Sequence, residues 1–203
     1  GLGFTKLATN VAFLVVGPAS GILTARGWGA LIDRWGRRPV LITATLGAVF
    51  SVVPWLLMPP HSTGPQWLVD AANAAAGFVG GLFGHGGWTP VSPQSPIGAY
   101  LLALVGCFIG GSTWMGVGMA QTGIMLGFSD GQGRSKFVAA SAVLISLGGL
   151  LGGVAGGQLA EAFKHLQQQP LRLGPLVWTN WHLTFAAALV SRLLSVTLLI
   201  HMP

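Results

Sequence analysis

Charged side chains are scarce in this sequence. Lys, Arg, Asp and Glu make up 7% of the 203 residues, and only four residues are acidic, whereas a soluble domain carries about 25% charged residues. Hydrophobic residues make up 52% of the chain. This composition excludes an ordinary water-soluble domain. It predicts an all-α fold, a helical bundle integral to a lipid bilayer.

Cysteine is almost absent as well. The single cysteine, Cys107, excludes an intrachain disulfide. The histidines show no i, i+3 or i+4 pairing, so we expect no zinc site, no other metal and no cofactor. These histidines are His61, His85, His165, His182 and His201.

The sequence also lacks an initiating Met and a signal-peptide pattern, because it opens with GLGFTK. We therefore expect the true N-terminus to lie upstream. The net charge is +6, but the ten Lys and Arg residues are spread over an apolar chain. We expect no nucleic-acid binding, and we interpret the basic residues as topology information, since cytoplasmic loops accumulate Lys and Arg.

Five apolar stretches are long enough to cross about 30 Å of hydrocarbon. They cover residues 7–25, 40–58, 97–128, 137–160 and 183–200. The connection 59–96 is rich in Pro, Gly and Ser and is expected outside the cytoplasm. Its apolar piece, 67–84, is either a short interfacial or extramembrane helix or a sixth span.

Charge favours five spans over six. With five, the basic clusters 34–38 and 134–136 lie on the same side of the membrane, as the positive-inside rule requires. The loops 26–39 and 129–136 are then cytoplasmic in a multi-pass protein of the cell (inner) membrane. The chain starts outside and ends inside.

The fourth stretch contains two sets of glycines at four-residue spacing. Small residues at this spacing let membrane helices approach closely, so we expect tight packing against a neighbouring helix. The glycines are Gly148, Gly149, Gly152, Gly153, Gly156 and Gly157.

The most specific segment is GALIDRWGRRP, residues 29–39, which joins the first two apolar stretches. Gly29 allows close helix packing, Gly36 permits the chain to reverse, and Pro39 suits the first turn of a helix. Asp33 is placed to accept hydrogen bonds from Arg34, from Arg37 or from a neighbouring helix N-terminus. Such a cluster favours a latch that holds one conformation until substrate binding offsets it.

This segment resembles the signature loop of the major facilitator superfamily (MFS), Gly-x-Leu-x-Asp-Arg-x-Gly-Arg-Arg. The matching residues are Gly29, Leu31, Asp33, Arg34, Gly36, Arg37 and Arg38. Ile32 stands where the family often has Ala, and the resemblance extends to the GRSK loop and to WHLTFAAALVSRLL.

The resemblance implies a twelve-helix transporter built from two similar halves. The chain would then hold helices two to six or eight to twelve, and the long outer loop favours the C-terminal half. In the family the loop Asp engages the opposite half. The resemblance therefore implies a missing N-terminal half as a partner, carrying the contact for Asp33.

The predicted function is secondary active or facilitative transport of a small solute by alternating access. The predicted latch consists of Gly29, Asp33, Arg34, Gly36, Arg37 and Arg38. Uncharged polar residues and one tryptophan inside the spans are candidates for the substrate path, with interhelical hydrogen bonding as the alternative role. They are Asn10, Ser112, Thr113, Trp114 and Gln121.

Arg192 lies near the middle of the last stretch, where it must face the bundle interior, pair with another group or snorkel to the cytoplasmic face. All four carboxylates fall in loops or at helix ends, so none is available at the membrane centre for proton coupling. The transported solute cannot be read from these residues.

Two other functions fit the composition. A non-transporting membrane subunit or a channel-like bundle would not need the Asp-Arg-Gly-Arg-Arg turn. An intramembrane serine hydrolase would need Ser112 beside His85 or His182 as a base, yet both histidines lie at span edges or in loops. We therefore do not expect an enzyme.

Overall fold

The computed structural model describes residues 11–58, 65–82, 96–127, 134–173 and 176–201. These residues are helical apart from one small hairpin. The helices are α1 (Gly17–Trp35), which follows a π-helical turn (Val11–Val16), α2 (Arg37–Phe50), α3 (Val53–Leu56), α4 (Gln66–Leu82), α5 (Ile97–Gly127), α6 (Arg134–Ala162) and α7 (Asn180–His201). Between α6 and α7 lie a 3-10 turn (Lys164–Gln167) and the antiparallel strands β1 (Leu171–Leu173) and β2 (Leu176–Trp178).

Four helical segments of the described chain are long and apolar enough to cross a membrane. They are Arg37–Leu56, Ile97–Gly127, Ser135–Ala162 and Asn180–His201. Each overlaps a predicted span, in agreement with an all-α membrane protein. The remaining predicted span, 7–25, begins outside the described residues, and its described part belongs to the π-helical turn and to α1.

The predicted loop 26–39 is wrong in its extent. Helix α1 continues to Trp35 and α2 begins at Arg37, so Gly36 alone separates them. Gly36 has φ 86 and ψ 169, a backbone region that is essentially restricted to glycine. The reversal expected at Gly36 therefore takes one residue. Of the other predicted cytoplasmic loop, residues 134–136 belong to α6 and 129–133 lie outside the described part.

The predicted span 40–58 is interrupted. Pro54 has no N–H to donate to the carbonyl four residues earlier, and the Val52 N–H bonds to the Val49 carbonyl at 3.2 Å. As a result, α2 ends at Phe50 and α3 begins at Val53.

Part of the predicted outer loop is helical. Helix α4 covers most of the apolar piece 67–84, and both alternatives for this piece, a short helix outside the bilayer core or a sixth span, stay predictions. The hairpin of β1 and β2 was not predicted, although LRL and LVW flank the turn-forming pair Gly174 and Pro175 in the sequence.

Helix α5 lies at the centre of the bundle and packs against α1, α2 and α3. Its approach to α1 is so close that a Cβ on Gly111 would overlap the Gly17 carbonyl oxygen and the Ser20 hydroxyl. Small residues thus bring these two helices together. The buried core cluster consists of Ala12, Trp55, Met58, Ala99, Ala103 and Cys107.

Helix α6 lies on the outside of the bundle, where it contacts chiefly α7. The packing predicted for its glycines is not formed by the described chain. No heavy atom lies within 4 Å of a Cβ built on Gly148, Gly149, Gly152, Gly153 or Gly157, and Gly156 meets only Thr184 Cγ2 at 3.9 Å. Within the described chain the glycines and many apolar side chains of α6 face outward, so close packing of these glycines against a neighbouring helix stays a prediction.

Candidate functional site

A cavity of about 370 Å³ lies between the π-helical turn, α1, the Ser51–Val52 break that follows α2, α3, α5 and α7. Its volume is within the range of about 300–1,000 Å³ that is typical of small-molecule sites. Glycines of α5 provide part of the space. The lining residues are Phe13, Gly17, Ser51, Val52, Trp55, Gly106, Cys107, Gly110, Gly111, Trp114, Thr184, Phe185, Ala188 and Arg192.

One wall of the cavity is aromatic. Phe13 stacks on Trp55 with ring centroids 5.4 Å apart, and Trp55 stacks on Phe185 with centroids 5.0 Å apart. Gly106 leaves room for the indole, since a Cβ there would stand 2.5 Å from Trp55 Nε1. Three elements thus bring three rings together into a continuous apolar surface.

Arg192 is the charged residue in the lining. It lies twelve residues after Asn180 and nine before His201, roughly 18 Å and 14 Å from the two ends of α7 at 1.5 Å per residue. Its guanidinium carbon lies 5.6 Å from the centroid of the Trp114 ring, in cation–π geometry. Of the three alternatives for Arg192, the structure therefore has the side chain facing the bundle interior.

The break after α2 explains where Arg192 binds. In a regular helix the Val52 N–H would donate to the Ala48 carbonyl, but here it donates to the Val49 carbonyl. The Ala48 carbonyl instead accepts from the Ser51 hydroxyl at 2.8 Å and from Arg192 Nη1 at 2.5 Å. Nη1 also donates to Ser51 Oγ at 2.9 Å. A cation at a helix C-terminus is electrostatically favoured. Arg192 thereby ties α7 to the end of α2.

The other edge of the guanidinium has no acceptor among the described residues. A guanidinium carries five N–H groups, and only the two on Nη1 donate to described residues. Asp33, Asp70 and Glu161, the acidic residues that the structure describes, are absent from the cavity lining. Within the described chain the charge of Arg192 is therefore not paired with a carboxylate.

Trp114 is the member of the predicted substrate path that lines this cavity. It also lines an open groove of about 910 Å³ between α1 and α5, together with Pro18, Ile22 and Met115. Because Gly17, Gly111 and Trp114 border both spaces, the cavity and the groove are neighbours.

Three of the other predicted path residues, Ser112, Thr113 and Gln121, do not line the cavity or the groove. Thr113 is buried; its hydroxyl bonds to the Ile109 carbonyl at 2.8 Å, and its methyl group faces Gly47. At Ser112 the backbone carbonyl accepts the Trp28 indole N–H at 2.7 Å. Gln121 is half-buried outside both linings, and Asn10 lies outside the described residues.

Among the predicted latch residues, Arg37 makes the interhelical contact. Its Nη1 donates to the Gly123 carbonyl of α5 at 2.5 Å, and its side chain covers Gly123 and Gly127. Asp33 is exposed and has no hydrogen bond or ion pair with a described residue. The predicted pairing of Asp33 with an arginine of the turn is therefore not formed, because Arg37 binds near the electronegative end of α5.

The remaining latch residues lie on α1 and α2 beside the turn. Gly29 faces Met119, where a Cβ would lie 3.7 Å from Cε, so the expected close packing takes the form of an ordinary van der Waals contact. Arg34 and Arg38 are exposed on either side of Gly36.

His182 has a structural environment. Its Nδ1 accepts the Thr179 backbone N–H at 3.0 Å, so Nε2 carries the proton and donates to the Met58 carbonyl at 2.8 Å. Both ring nitrogens are thus engaged, which leaves neither free to act as a base toward Ser112. His85 lies outside the described residues.

In the described ranges, no group of three His, Cys, Asp or Glu side chains is arranged to hold a metal ion. Comparison of the chain with protein-family models, with curated proteins and with solved structures found no significant match. The family resemblance therefore rests on the sequence of the 29–39 segment and its neighbours.

Sequence reasoning missed most of the cavity. Phe13, Trp55 and Phe185 have the spacing of ordinary membrane aromatics, and no pattern joins them. Ser51 carries a weak signal, since it lies three residues before Pro54. Arg192 was recognisable as the lone charge in an apolar stretch, but its partners lie more than 140 positions away in the chain.

Proposed function

We propose that this chain is part of a membrane transporter of the major facilitator type, in which the Arg192 cavity forms part of the solute pathway. The observation that carries the proposal is the cavity itself: a space of small-molecule size in mid-bundle, bordered by one half-buried cation and three stacked rings. Intramembrane charges facing a cavity commonly mark substrate pathways.

The turn at Gly36 supports a conformational role for the 29–39 segment. Arg37 joins α2 to α5, while the exposed Asp33 carboxylate is available to a partner outside the described residues. A contact that forms in one conformation and breaks in the other shifts a two-state equilibrium by its own interaction energy. In this proposal the segment acts as the latch, and the partner of Asp33 belongs to the other half of the same protein.

The open groove between α1 and α5 supports the same assembly. It borders the cavity at Trp114 and is open on the side away from the described helices. An opposing half of the protein would cover the groove and join it to the cavity as one path. The protein would be a multi-pass component of the cell (inner) membrane, with the Gly36 turn in the cytoplasm.

Solute counterflow separates this proposal from a channel or a non-transporting subunit. The full-length protein is reconstituted in proteoliposomes loaded with an unlabelled solute, and uptake of a labelled trace of the same solute is followed for anionic, neutral and cationic compounds. A transporter gives transient accumulation above equilibrium for at least one compound. A channel gives only monotonic equilibration, and a non-transporting subunit gives no flux; either result overturns the proposal.

A further inference from the structure

Arg192 is a positive charge inside the bundle with no carboxylate among the described residues that line its cavity. Holding an uncompensated charge away from water is costly. We propose that the cavity binds a small organic anion whose carboxylate pairs with Arg192 and whose flat apolar body lies against the aromatic wall. This inference rests on the proposed function, since it names the class of solute that the pathway accepts.

The guanidinium retains donors for such a ligand. Its Nη1 edge is fixed by the Ala48 carbonyl and the Ser51 hydroxyl, and its plane is supported by Trp114. The unused Nε and Nη2 N–H groups form the parallel pair of donors that binds a carboxylate in bidentate fashion. Because Arg192 is already held in place, little side-chain freedom is lost when the anion binds.

The rest of the cavity selects the body of the ligand. Phe13, Trp55 and Phe185 form a stacked surface, and glycines on α5 leave open space beside it. Aromatic surfaces of this kind favour flat apolar groups. A ring that bears one carboxylate, as in benzoate, combines both features.

The alternative is a purely structural Arg192 that only caps the end of α2. A cap requires a donor near the Ala48 carbonyl, and a lysine ammonium would supply one. A bidentate anion site requires the second pair of donors, which lysine lacks. Arg192→Lys therefore separates the two roles.

The test measures binding of radiolabelled benzoate to the purified full-length protein. Unlabelled benzoate should compete at least roughly tenfold better than benzamide, which keeps the ring but not the charge, because a buried charge pair is lost. It should also compete better than acetate, which lacks the ring, and benzylamine should not compete. Cys107 lines the same cavity. Bound benzoate should therefore slow the alkylation of Cys107 by N-ethylmaleimide.

Two variants complete the test. Arg192→Lys should weaken benzoate binding roughly tenfold or more. Ser191→Ala should leave it unchanged, because Ser191 is exposed and its hydroxyl donates to the Ala188 carbonyl of its own helix. Thermal stability and size-exclusion profiles check that each variant is folded. If Arg192→Lys does not fold, the ratio of the competing strengths of benzoate and benzamide at the wild-type protein tests the charge pair instead.

Absence of benzoate binding, equal competition by benzamide, or unchanged Cys107 alkylation overturns the inference. The two proposals fail separately. Counterflow of neutral solutes without benzoate binding contradicts the anion site and leaves the transporter standing. Benzoate binding without counterflow of any solute contradicts the transporter and leaves the anion site standing.

Discussion

Arg37, the first residue of α2, donates a hydrogen bond from Nη1 to the carbonyl oxygen of Gly123, near the end of α5, at 2.5 Å. The bond links the turn at Gly36 to the central helix of the bundle. In the proposed latch, this bond would transmit a movement of α5 to the segment that carries Asp33. This link is the physical basis for treating the 29–39 segment as part of a conformational switch.

Replacing Arg37 with Gln should weaken the link between α2 and α5. A cation near a helix C-terminus contributes about 0.3–1 kcal/mol at an exposed site, so we expect a small decrease in the thermal midpoint of the detergent-solubilised protein. Arg34→Gln is the matched control, since Arg34 is exposed in the same segment and bonds to no described residue. Equal midpoints for the two variants would show that the Arg37 contact has no energetic role.

Asp33→Asn should slow transport while leaving substrate affinity and membrane insertion largely unchanged. Asp33 lies outside the cavity lining, so in the proposed latch its charge would bias the conformational equilibrium without touching the solute. Asp70→Asn is the control, because Asp70 is exposed and its carboxylate accepts a local bond from Gln66 in α4. The measurements are the rate of counterflow and the solute concentration that gives half the maximal rate. A wild-type rate in Asp33→Asn would contradict the latch.

Gly36→Ala should destabilise the protein, because φ 86 with ψ 169 is strained for any residue that carries a Cβ. We expect a cost of about 1–3 kcal/mol, measured as a lower midpoint in an SDS unfolding titration. Gly27→Ala should be neutral or stabilising, since Gly27 lies within α1 and a Cβ there would meet nothing within 4 Å. If Gly36→Ala matched Gly27→Ala, the turn geometry described here would be incorrect.

Gly111→Ala should separate α1 from α5. The added methyl group would overlap the Gly17 carbonyl, which is backbone and cannot rotate away. Overpacking of this kind costs about 1–3 kcal/mol, so the thermal midpoint should fall. Gly118→Ala on the same helix adds a methyl group with nothing within 4 Å and should be tolerated. An unchanged midpoint for Gly111→Ala would contradict the close packing of the two helices.

The long helices were predictable because an apolar stretch of about 20 residues or more predicts a helix that crosses the bilayer. The stretches 97–128, 137–160 and 183–200 lie almost wholly in α5, α6 and α7. The extent of α1 was not predictable in the same way. Charged residues and tryptophans between Arg26 and Trp35 resemble an interfacial loop, yet the backbone stays helical until Gly36, where the glycine-only conformation ends it.

The site was less predictable because long-range packing assembles it. Arg192 was recognisable as a lone charge in an apolar stretch. Its acceptor, the Ala48 carbonyl, is available because the helix breaks near Pro54 and the Val52 N–H bonds to Val49 instead. The glycines of α6 carried the strongest small-residue pattern, and the close helix contact instead forms at Gly17 and Gly111. Spacing alone does not reveal which face of a helix finds a neighbour.

The most direct test of alternating access uses Cys107, which lines the cavity. In vesicles of defined orientation, a membrane-impermeant thiol reagent is added to one side at a time, with Cys107→Ser as the background control and any cysteines outside these 203 residues replaced. Wild-type protein should be labelled at Cys107 from both sides, and Asp33→Asn should raise the rate from one side while lowering it from the other. Labelling from one side only, or rates that rise together on both sides, would contradict a cavity that opens alternately.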